Sequence, residues 1–420
     1  MNDTAPAEQP MAVAAPASRA AFAFIFITIL LDMVALGIII PVLPSLVQGF
    51  VGDTARTAQV LGLFGTAWAL MQFLFSPALG ALSDRFGRRP VILISNLGLA
   101  LDYILMALAP SLAWLFVGRV VSGITSASIS TAFAYVADVT PPESRAARFG
   151  FLGVAFGAGF VFGPALGGLT GAIDPRLPFW IAAGLGLANV LYGWLILPES
   201  LPLTSRMAFS WRRANPLGAL KLLSAHHELL GLATVEFLGL LAHAVLPSVT
   251  VLYMLYRYGF DERAVGFIMA GVGVCAMVVQ GVLIGPVTRR FGERVALLIG
   301  LAFGAAGFAI YGIAWTGALF IIGVPLMALW GFANPAAMAL MSRHVGADEQ
   351  GQLQGANASI QGIANMLGPG LFTLVFAWAI RPDRAVPLPG APFALAAALL
   401  VAAMAIAWRV TRRSTRAASR

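Results

Sequence analysis

The chain has 420 residues, of which 59% are hydrophobic and only 10% are charged. A soluble domain carries about 25% charged residues, so this composition excludes a soluble globular protein and requires lipid to cover the surface. The single cysteine, Cys275, excludes an intramolecular disulfide and a cysteine-based metal site. The formal net charge of +8 is spread over short loops and the tail, so it does not indicate a nucleic-acid partner.

Apolar runs of membrane-spanning length dominate the chain. About 20 apolar residues cross a bilayer as a helix. Twelve such runs occur, near 21–46, 58–82, 91–109, 112–137, 147–171, 177–197, 228–256, 264–288, 295–313, 317–342, 352–379 and 390–409. They predict an all-α polytopic membrane protein with 12 transmembrane helices.

The longest polar segment, 198–227, divides the twelve runs into six and six. We expect two six-helix bundles, a disordered lead, a linker with a short amphipathic helix near 214–223, and a basic tail. The corresponding segments are 1–20 (lead), 21–198 (first bundle), 199–227 (linker), 228–409 (second bundle) and 410–420 (tail).

Basic residues predict the orientation. With both termini on one side, the segments on that side hold 19 Lys and Arg residues, and the opposite loops hold 6. Cytoplasmic loops carry an excess of Lys and Arg, so both termini are expected in the cytoplasm.

A compact polar loop, 80–90, separates the second and third runs. It holds one acid and three arginines between Gly80 and Pro90, and a loop that is partly identical recurs 205 positions later. A positive-inside anchor alone would explain the charges, but not the repetition, which indicates a duplicated transporter half. The residues of interest in the first copy are Gly80, Asp84, Arg85, Gly87, Arg88 and Arg89.

A glycine pattern marks the fifth run. Its members are Gly150, Gly159, Gly163, Pro164, Gly167 and Gly168. Glycines four residues apart let helices approach closely, and Pro164 is expected to bend the helix. Gly150, Gly163 and Pro164 recur 205 positions later as Gly355, Gly368 and Pro369, which again favours two homologous halves.

The chain resembles the major facilitator superfamily, in particular its twelve-helix drug/proton antiporters. The 80–90 loop resembles the loop motif of that superfamily, and the 150–168 pattern resembles its antiporter motif. Segments 101–105 and 115–125 look like those of the bacterial tetracycline/proton antiporters. The resemblance covers 21–409. It implies a functional monomer in a bacterial inner membrane that binds a small-molecule substrate and protons and needs no cofactor.

Three charged residues fall inside spans of the first half. Asp32 lies near mid-depth of the first helix. Asp102 and Arg119 lie on opposite arms of a hairpin about 12–14 Å from its turn, so we expect them to interact. A static ion pair that only fixes the hairpin is one interpretation. The other is an acid whose proton affinity changes when the pair opens, and the family resemblance supports a proton-coupling role for all three.

Helix seven carries Glu236 and His243, seven residues apart and therefore on one face. Glu236 is nearly the counterpart of Asp32 in the second half. A buried carboxylate is a natural proton carrier, so both residues are candidates for proton coupling. A core histidine with a hydrogen-bond partner is the alternative for His243.

The resemblance has two departures. Tetracycline exporters of the family carry a histidine in helix eight and an aspartate in helix nine, where this chain has Ala276 and Gly304. We therefore hypothesise that Glu236 takes over second-half coupling, with His243 assisting, and the departures weaken the case for tetracycline as substrate.

Single polar residues on apolar helices are candidates for the substrate cavity, although interhelical hydrogen bonding would explain each of them. They are Gln72, Asn96, Gln280, Asn334, Asn357 and Gln361. In the loop, Asp84, Arg88 and Arg89 are expected to latch helix ends, and Asp138 and Arg145 are expected to join that network and form a gate.

No catalytic or metal-ligand spacing occurs among the four histidines, and no phosphate-binding Gly-Lys-Ser/Thr run is present. The sequence thus predicts no enzyme, no metal site and no ATP-driven pump. It favours a proton-driven exporter of amphipathic compounds. A proton-coupled importer and a receptor or scaffold that does not transport remain alternatives.

Overall fold

The computed structural model describes residues 16–126, 128–141, 144–207, 220, 222–223, 227–346 and 349–417. These residues are helical apart from short connections, and no strand occurs among them. The helices of the first half are α1 (Pro16–Ile39, continued by Leu43–Val51), α2 (Thr54–Phe86), α3 (Arg88–Leu108), α4 (Leu112–Thr125, continued by Ser128–Val139), α5 (Arg145–Gly171) and α6 (Leu177–Ile196). Those of the second half are α7 (His227–His243, continued by Val245–Tyr258), α8 (262–291), α9 (293–313), α10 (Gly317–Ala328, continued through a 3-10 turn by Ala333–Ser342), α11 (Gln350–Ala379) and α12 (Ala391–Ala417).

Helices α8 and α9 form one unbroken stretch, Glu262–Ile313, of 52 residues. A straight helix of that size would be about 78 Å long, more than twice the thickness of the hydrocarbon core. The backbone turns at Gly292, where φ is 76° and ψ is 164°. The eleven continuous spans within the described residues therefore make twelve crossings, as the apolar runs predict.

The backbone repeats itself between the halves. Within the described residues, positive φ occurs at four glycines, which fall into two pairs, Gly52 with Gly259 and Gly87 with Gly292. Gly87 has φ 107° and ψ 160°, close to the values at Gly292, which lies 205 positions later. A side chain is strained at such φ values, so glycine is the residue that allows the reversal from α2 to α3 and from α8 to α9.

Helices α2 and α8 also have the same type of N-cap. Asp53 accepts a hydrogen bond from the Arg56 amide at 2.7 Å at the start of α2. Asp261 accepts one from the Ala264 amide at 2.8 Å at the start of α8. Both are N-caps, which satisfy amides that the first helical turn leaves unpaired. The duplication seen in the motifs thus extends to caps and turns.

Two helix pairs form the most extensive contacts between the halves, α2 with α11 and α5 with α8. Within each half, α3 packs on α6, and α9 packs on α12, on the outer side of the bundle. We call the side that carries the Gly87 turn the motif face, and the other side the far face. At the far face, 43–51 of α1 also packs against 245–258 of α7.

Contacts between the halves weaken toward the motif face. Along α5 and α8, Gly168 lies against Gly266, and Gly157 lies against Met277 near mid-depth. Closer to the motif face, a Cβ built on Gly150 or Gly281 would meet no neighbouring atom within 4 Å. The space between the halves therefore opens toward the motif face.

Two of the predicted segment bounds change, and one predicted element cannot be compared. Helix α1 begins at Pro16, so the end of the predicted disordered lead is helical. Helix α12 continues to Ala417, past the predicted start of the tail. The predicted linker helix near 214–223 lies largely outside the described residues.

Candidate functional site

The sequence-predicted pair in the first half is in contact. Arg119 Nη2 of α4 binds Asp102 Oδ2 of α3 in a salt bridge, and the Asp102 side chain is fully buried. Gly118 makes room for this pair, because a Cβ there would overlap Asp102 Oδ1. Arg119 Nη2 also lies 2.9 Å from Met106 Sδ. An uncompensated charge at this depth would be costly, so neither partner is expected to remain buried and charged alone.

Asp32 lies beside this pair, inside the first half. It is 8% exposed, and Asn189 Nδ2 of α6 donates to its Oδ1 at 2.8 Å. The same amide donates to the Thr28 carbonyl oxygen at 3.0 Å. Asn189 was not among the predicted residues, although it is a lone polar residue on an apolar helix, which is the signal that identified Asn96.

The second half holds a comparable acid–amide pair. Glu236 of α7 is 7% exposed, and Asn334 Nδ2 of α10 donates to its Oε1 at 2.5 Å. Asp32 and Glu236, the acids predicted to couple to protons, thus each accept a hydrogen bond from an asparagine on a neighbouring helix. His243 lies next to Trp330, with 5.6 Å between ring centroids, and no contact with Glu236 is present.

One of the two departures from the family pattern, Gly304, has a structural explanation. A Cβ on Gly304 would lie 2.7 Å from Trp330 Cγ and 2.7 Å from Leu400 Cδ1. The Trp330 indole therefore fills the volume that an aspartate side chain at position 304 would need. Ala276 is half-buried on α8 and brings no ionisable group to the cavity.

The six cavity candidates divide by exposure. Gln280, Asn334 and Gln361 are exposed at mid-depth, as is His243. Exposure of an amide to lipid at this depth would be costly, so the exposure of these side chains favours the predicted cavity position, which stays a prediction. Gln72 is half-buried and donates to Ser126 Oγ at 3.0 Å. Asn96 and Asn357 are buried in this structure, and their assignment to the substrate cavity stays a prediction.

At the motif face, Arg88 is the centre of a network. Its guanidinium binds Asp84 Oδ1 at 2.5 Å and Asp138 Oδ2 at 3.1 Å, and its amide donates to Glu199 Oε1 at 2.8 Å. Arg89 instead donates to the Trp194 carbonyl oxygen. These contacts join α2, α3, α4 and the segment after α6, all within the first half.

Other motif-face residues differ from expectation. Arg145 donates to the Thr140 carbonyl oxygen at 3.2 Å and does not join the network, because its side chain is used to cap its own loop. Arg85 is exposed over the Phe86 ring, and Gly80 has no close neighbour. Glu199 was missed. A Cβ on Gly87 would overlap its carboxylate, so Gly87 is needed for both its φ and its contact.

The second half contains a charge-reversed copy of this contact. Arg343 of α10 binds Glu293 of α9 in a salt bridge. These residues lie 205 positions after Asp138 and Arg88, so acid and base have exchanged helices while the geometry persists. The sequence comparison of the two loops did not reveal the pair, because the residue types are swapped.

The α5 glycines pack against two helices. A Cβ on Gly159 or Gly167 would overlap Met33 or the Ile38 carbonyl of α1, and one on Gly163 would lie 2.6 Å from Gly37 Cα. Gly168 faces α8 instead, and Gly150 faces open space. Pro164 stays within one continuous helix. The pattern is thus a tight packing face on both sides of α5.

The sequence and the structure both resemble those of known membrane transporters. The model of the Major Facilitator Superfamily matches residues 25–369 and 282–420. The chain is 39% identical to the class C tetracycline resistance protein of Escherichia coli over 83% of this chain and 88% of that protein. It is 37% identical to the class D tetracycline resistance protein of Salmonella ordonez, over 83% and 87%. The human organic anion transporter MFSD10 superposes with a TM-score of 0.70 at 25% identity, over 93% of this chain and 100% of that one. The chain therefore belongs to the Major Facilitator Superfamily of membrane transporters.

Proposed function

We propose that this protein is a secondary active exporter that exchanges protons for a small, amphipathic, drug-like compound by alternating access. The observation that carries the proposal is the presence, at mid-depth of each half, of a buried acid tied to a neighbouring helix, Asp32 to α6 and Glu236 to α10. Burial of an ionised carboxylate at this depth costs free energy, so an acid at such a position is a functional candidate. Binding of a proton changes the hydrogen bond to the asparagine, and so links protonation to helix packing.

Asp102 and Arg119 supply the second element of the mechanism. Their salt bridge holds the α3–α4 hairpin while the protein is in the described state. Opening of the pair would leave a buried carboxylate that takes a proton in place of the guanidinium. Proton binding and substrate release are then coupled equilibria of the same two-state bundle.

The proposed cellular location of the protein is the bacterial inner membrane, with both termini in the cytoplasm. The distribution of basic residues supports this orientation. It makes the motif face cytoplasmic, and the described state inward-open. The relatives named as tetracycline resistance proteins make a tetracycline-like compound the first substrate to test.

Everted membrane vesicles provide the test. Addition of tetracycline or another transported drug to energised vesicles is expected to collapse part of the pH gradient, read with a fluorescent weak base. Asp32→Asn and Glu236→Gln are expected to abolish the response. Asp383→Asn, which removes an acid in an exposed loop, should leave it intact.

Three results would contradict the proposal. Substrate-dependent proton movement that persists in Glu236→Gln while Asp32→Asn abolishes it would remove Glu236 from coupling. Accumulation in the opposite direction would indicate an importer. Absence of any substrate-dependent proton movement across the drug panel would indicate a receptor or scaffold.

A further inference from the structure

Helices α7 and α10 pack side by side and make two side-chain contacts, and we call the surface they form the α7–α10 wall. These helices run antiparallel, and Glu236 meets Asn334 nearer the motif face, while His243 meets Trp330 nearer the far face. Along α10 the two contacts lie four residues apart, or about 6 Å. A carboxylate and an aromatic surface therefore sit side by side on one wall.

Protein covers part of the Trp330 indole, and the His243 ring lies beside it on the α7 side at a centroid distance of 5.6 Å. Gly304 of α9 and Leu400 of α12 lie behind the indole, and the Phe308 ring meets it edge-on at a centroid distance of 5.4 Å. Helices α9 and α12 pack mainly on each other and on other helices of the second half, away from the first half. The part of the half-buried indole that remains uncovered therefore points inward, toward the space between the halves, together with exposed His243 and Asn334.

The Glu236 carboxylate keeps one oxygen, Oε2, that can accept a hydrogen bond from a ligand. Asn334 occupies Oε1, and among the described residues no hydrogen bond to Oε2 is present. An ionised carboxyl group has about four acceptor positions on its two oxygens, so one amide leaves capacity for a ligand. A cation held there would lie within reach of an aromatic body that packs on the indole.

We propose that the α7–α10 wall binds a planar aromatic cation, whose ring system stacks on Trp330 and whose positive charge lies beside Glu236. Aromatic faces attract cations, most strongly at Trp, and a carboxylate adds charge complementarity. This inference rests on the proposed function, since it names the substrate class of the same cavity. It also gives Gly304 a role, because the absence of a side chain there lets the indole take its position.

The test is equilibrium binding to purified protein in detergent, without a proton gradient. Ethidium serves as the planar cation, acridone as a neutral planar compound, and tetrapropylammonium as a cation without rings. Ethidium anisotropy is expected to report binding, acridone to compete, and tetrapropylammonium to compete weakly. Glu236→Gln should weaken ethidium about tenfold or more and acridone less than twofold.

Trp330→Leu is expected to weaken both planar ligands about tenfold, while Trp330→Phe, which keeps a ring, should stay within about threefold of the parent. Trp180→Leu is the matched control, because Trp180 is exposed on the outer helix α6. If Trp330→Leu does not elute as a folded protein, the ligand selectivity of Glu236→Gln decides the matter alone.

Equal ethidium affinity in the parent, Trp330→Leu and Glu236→Gln would overturn the inference, as would equal weakening of ethidium and acridone by Glu236→Gln. Because binding is read without a gradient, the two proposals can fail separately. Intact ethidium binding with no proton-coupled transport would refute the proposed function and leave the binding site standing.

Discussion

In the first half, a glycine determines where a charge can sit. Asp102 is buried against Arg119 because Gly118, the neighbour of that arginine, has no side chain. The hairpin spacing was enough to predict the Asp102–Arg119 contact from sequence. It could not predict that Asn189 holds Asp32, because nothing in the sequence says which face of α6 meets α1. The sequence could not predict that the Trp330 indole lies at Gly304 either, because the two residues belong to different helices.

Gly118→Ala is expected to impair transport without altering any charge. The added methyl group overlaps Asp102 Oδ1, so the salt bridge must shift. Overpacking of this kind costs about 1–3 kcal/mol of folding free energy. Thermal unfolding and drug-dependent pH-gradient collapse measure the two effects.

Gly239→Ala provides the control, because a Cβ at that position in α7 meets no atom within 4 Å. It should raise or keep the melting temperature, since alanine is the better helix former. Full transport activity in Gly118→Ala would show that Asp102 and Arg119 need not hold the observed geometry.

Helix α5 packs on both halves at once. Its glycines bring it against α1 in the first half and α8 in the second, so the antiporter-type pattern describes a joint between the halves as well as a packing face. The spacing of the glycines predicted close helix packing from sequence. Which glycine meets which helix depends on the rotation of α5, and a pattern of identical residues does not specify it.

Two alanine substitutions within this pattern should behave differently. Gly167→Ala places a methyl group on the Ile38 carbonyl oxygen, where backbone cannot yield, so loss of expression or a fall in stability of about 1–3 kcal/mol is expected. Gly150→Ala adds a methyl group to open space and should be tolerated. Membrane expression level and melting temperature measure the difference.

Equal behaviour of the two variants would mean that the pattern does not act through the packing described here. A Gly150→Ala protein that is stable yet inactive would indicate instead that Gly150 contacts a neighbour in another state of the cycle.

At the scale of the molecule, duplication explains most of what sequence could predict. The repeated loops, caps and glycine turns fix two bundles, and apolar length fixes twelve crossings. The relative tilt of the bundles does not follow from either, because a protein that works by the proposed alternating access must be compatible with more than one arrangement. The copy of the Arg88–Asp138 contact at Glu293 and Arg343 shows that the halves keep geometry while residue types change.

The opening toward the motif face predicts a pattern of chemical accessibility. In a Cys275→Ala background, Gly281→Cys lies on the open stretch of α8. Val265→Cys lies near the far face, next to the residue Gly266 that contacts α5, and Val265 is fully buried. A membrane-impermeant maleimide added to everted vesicles should modify Gly281→Cys at least about tenfold faster, because thiol reactivity follows exposure. Mass spectrometry of the purified protein measures both rates.

In intact cells Gly281→Cys should be protected, since the reagent then reaches only the far face. Fast modification from intact cells and protection in everted vesicles would reverse the proposed orientation, and equal slow modification of both cysteines would mean that the opening described here is not populated in the membrane.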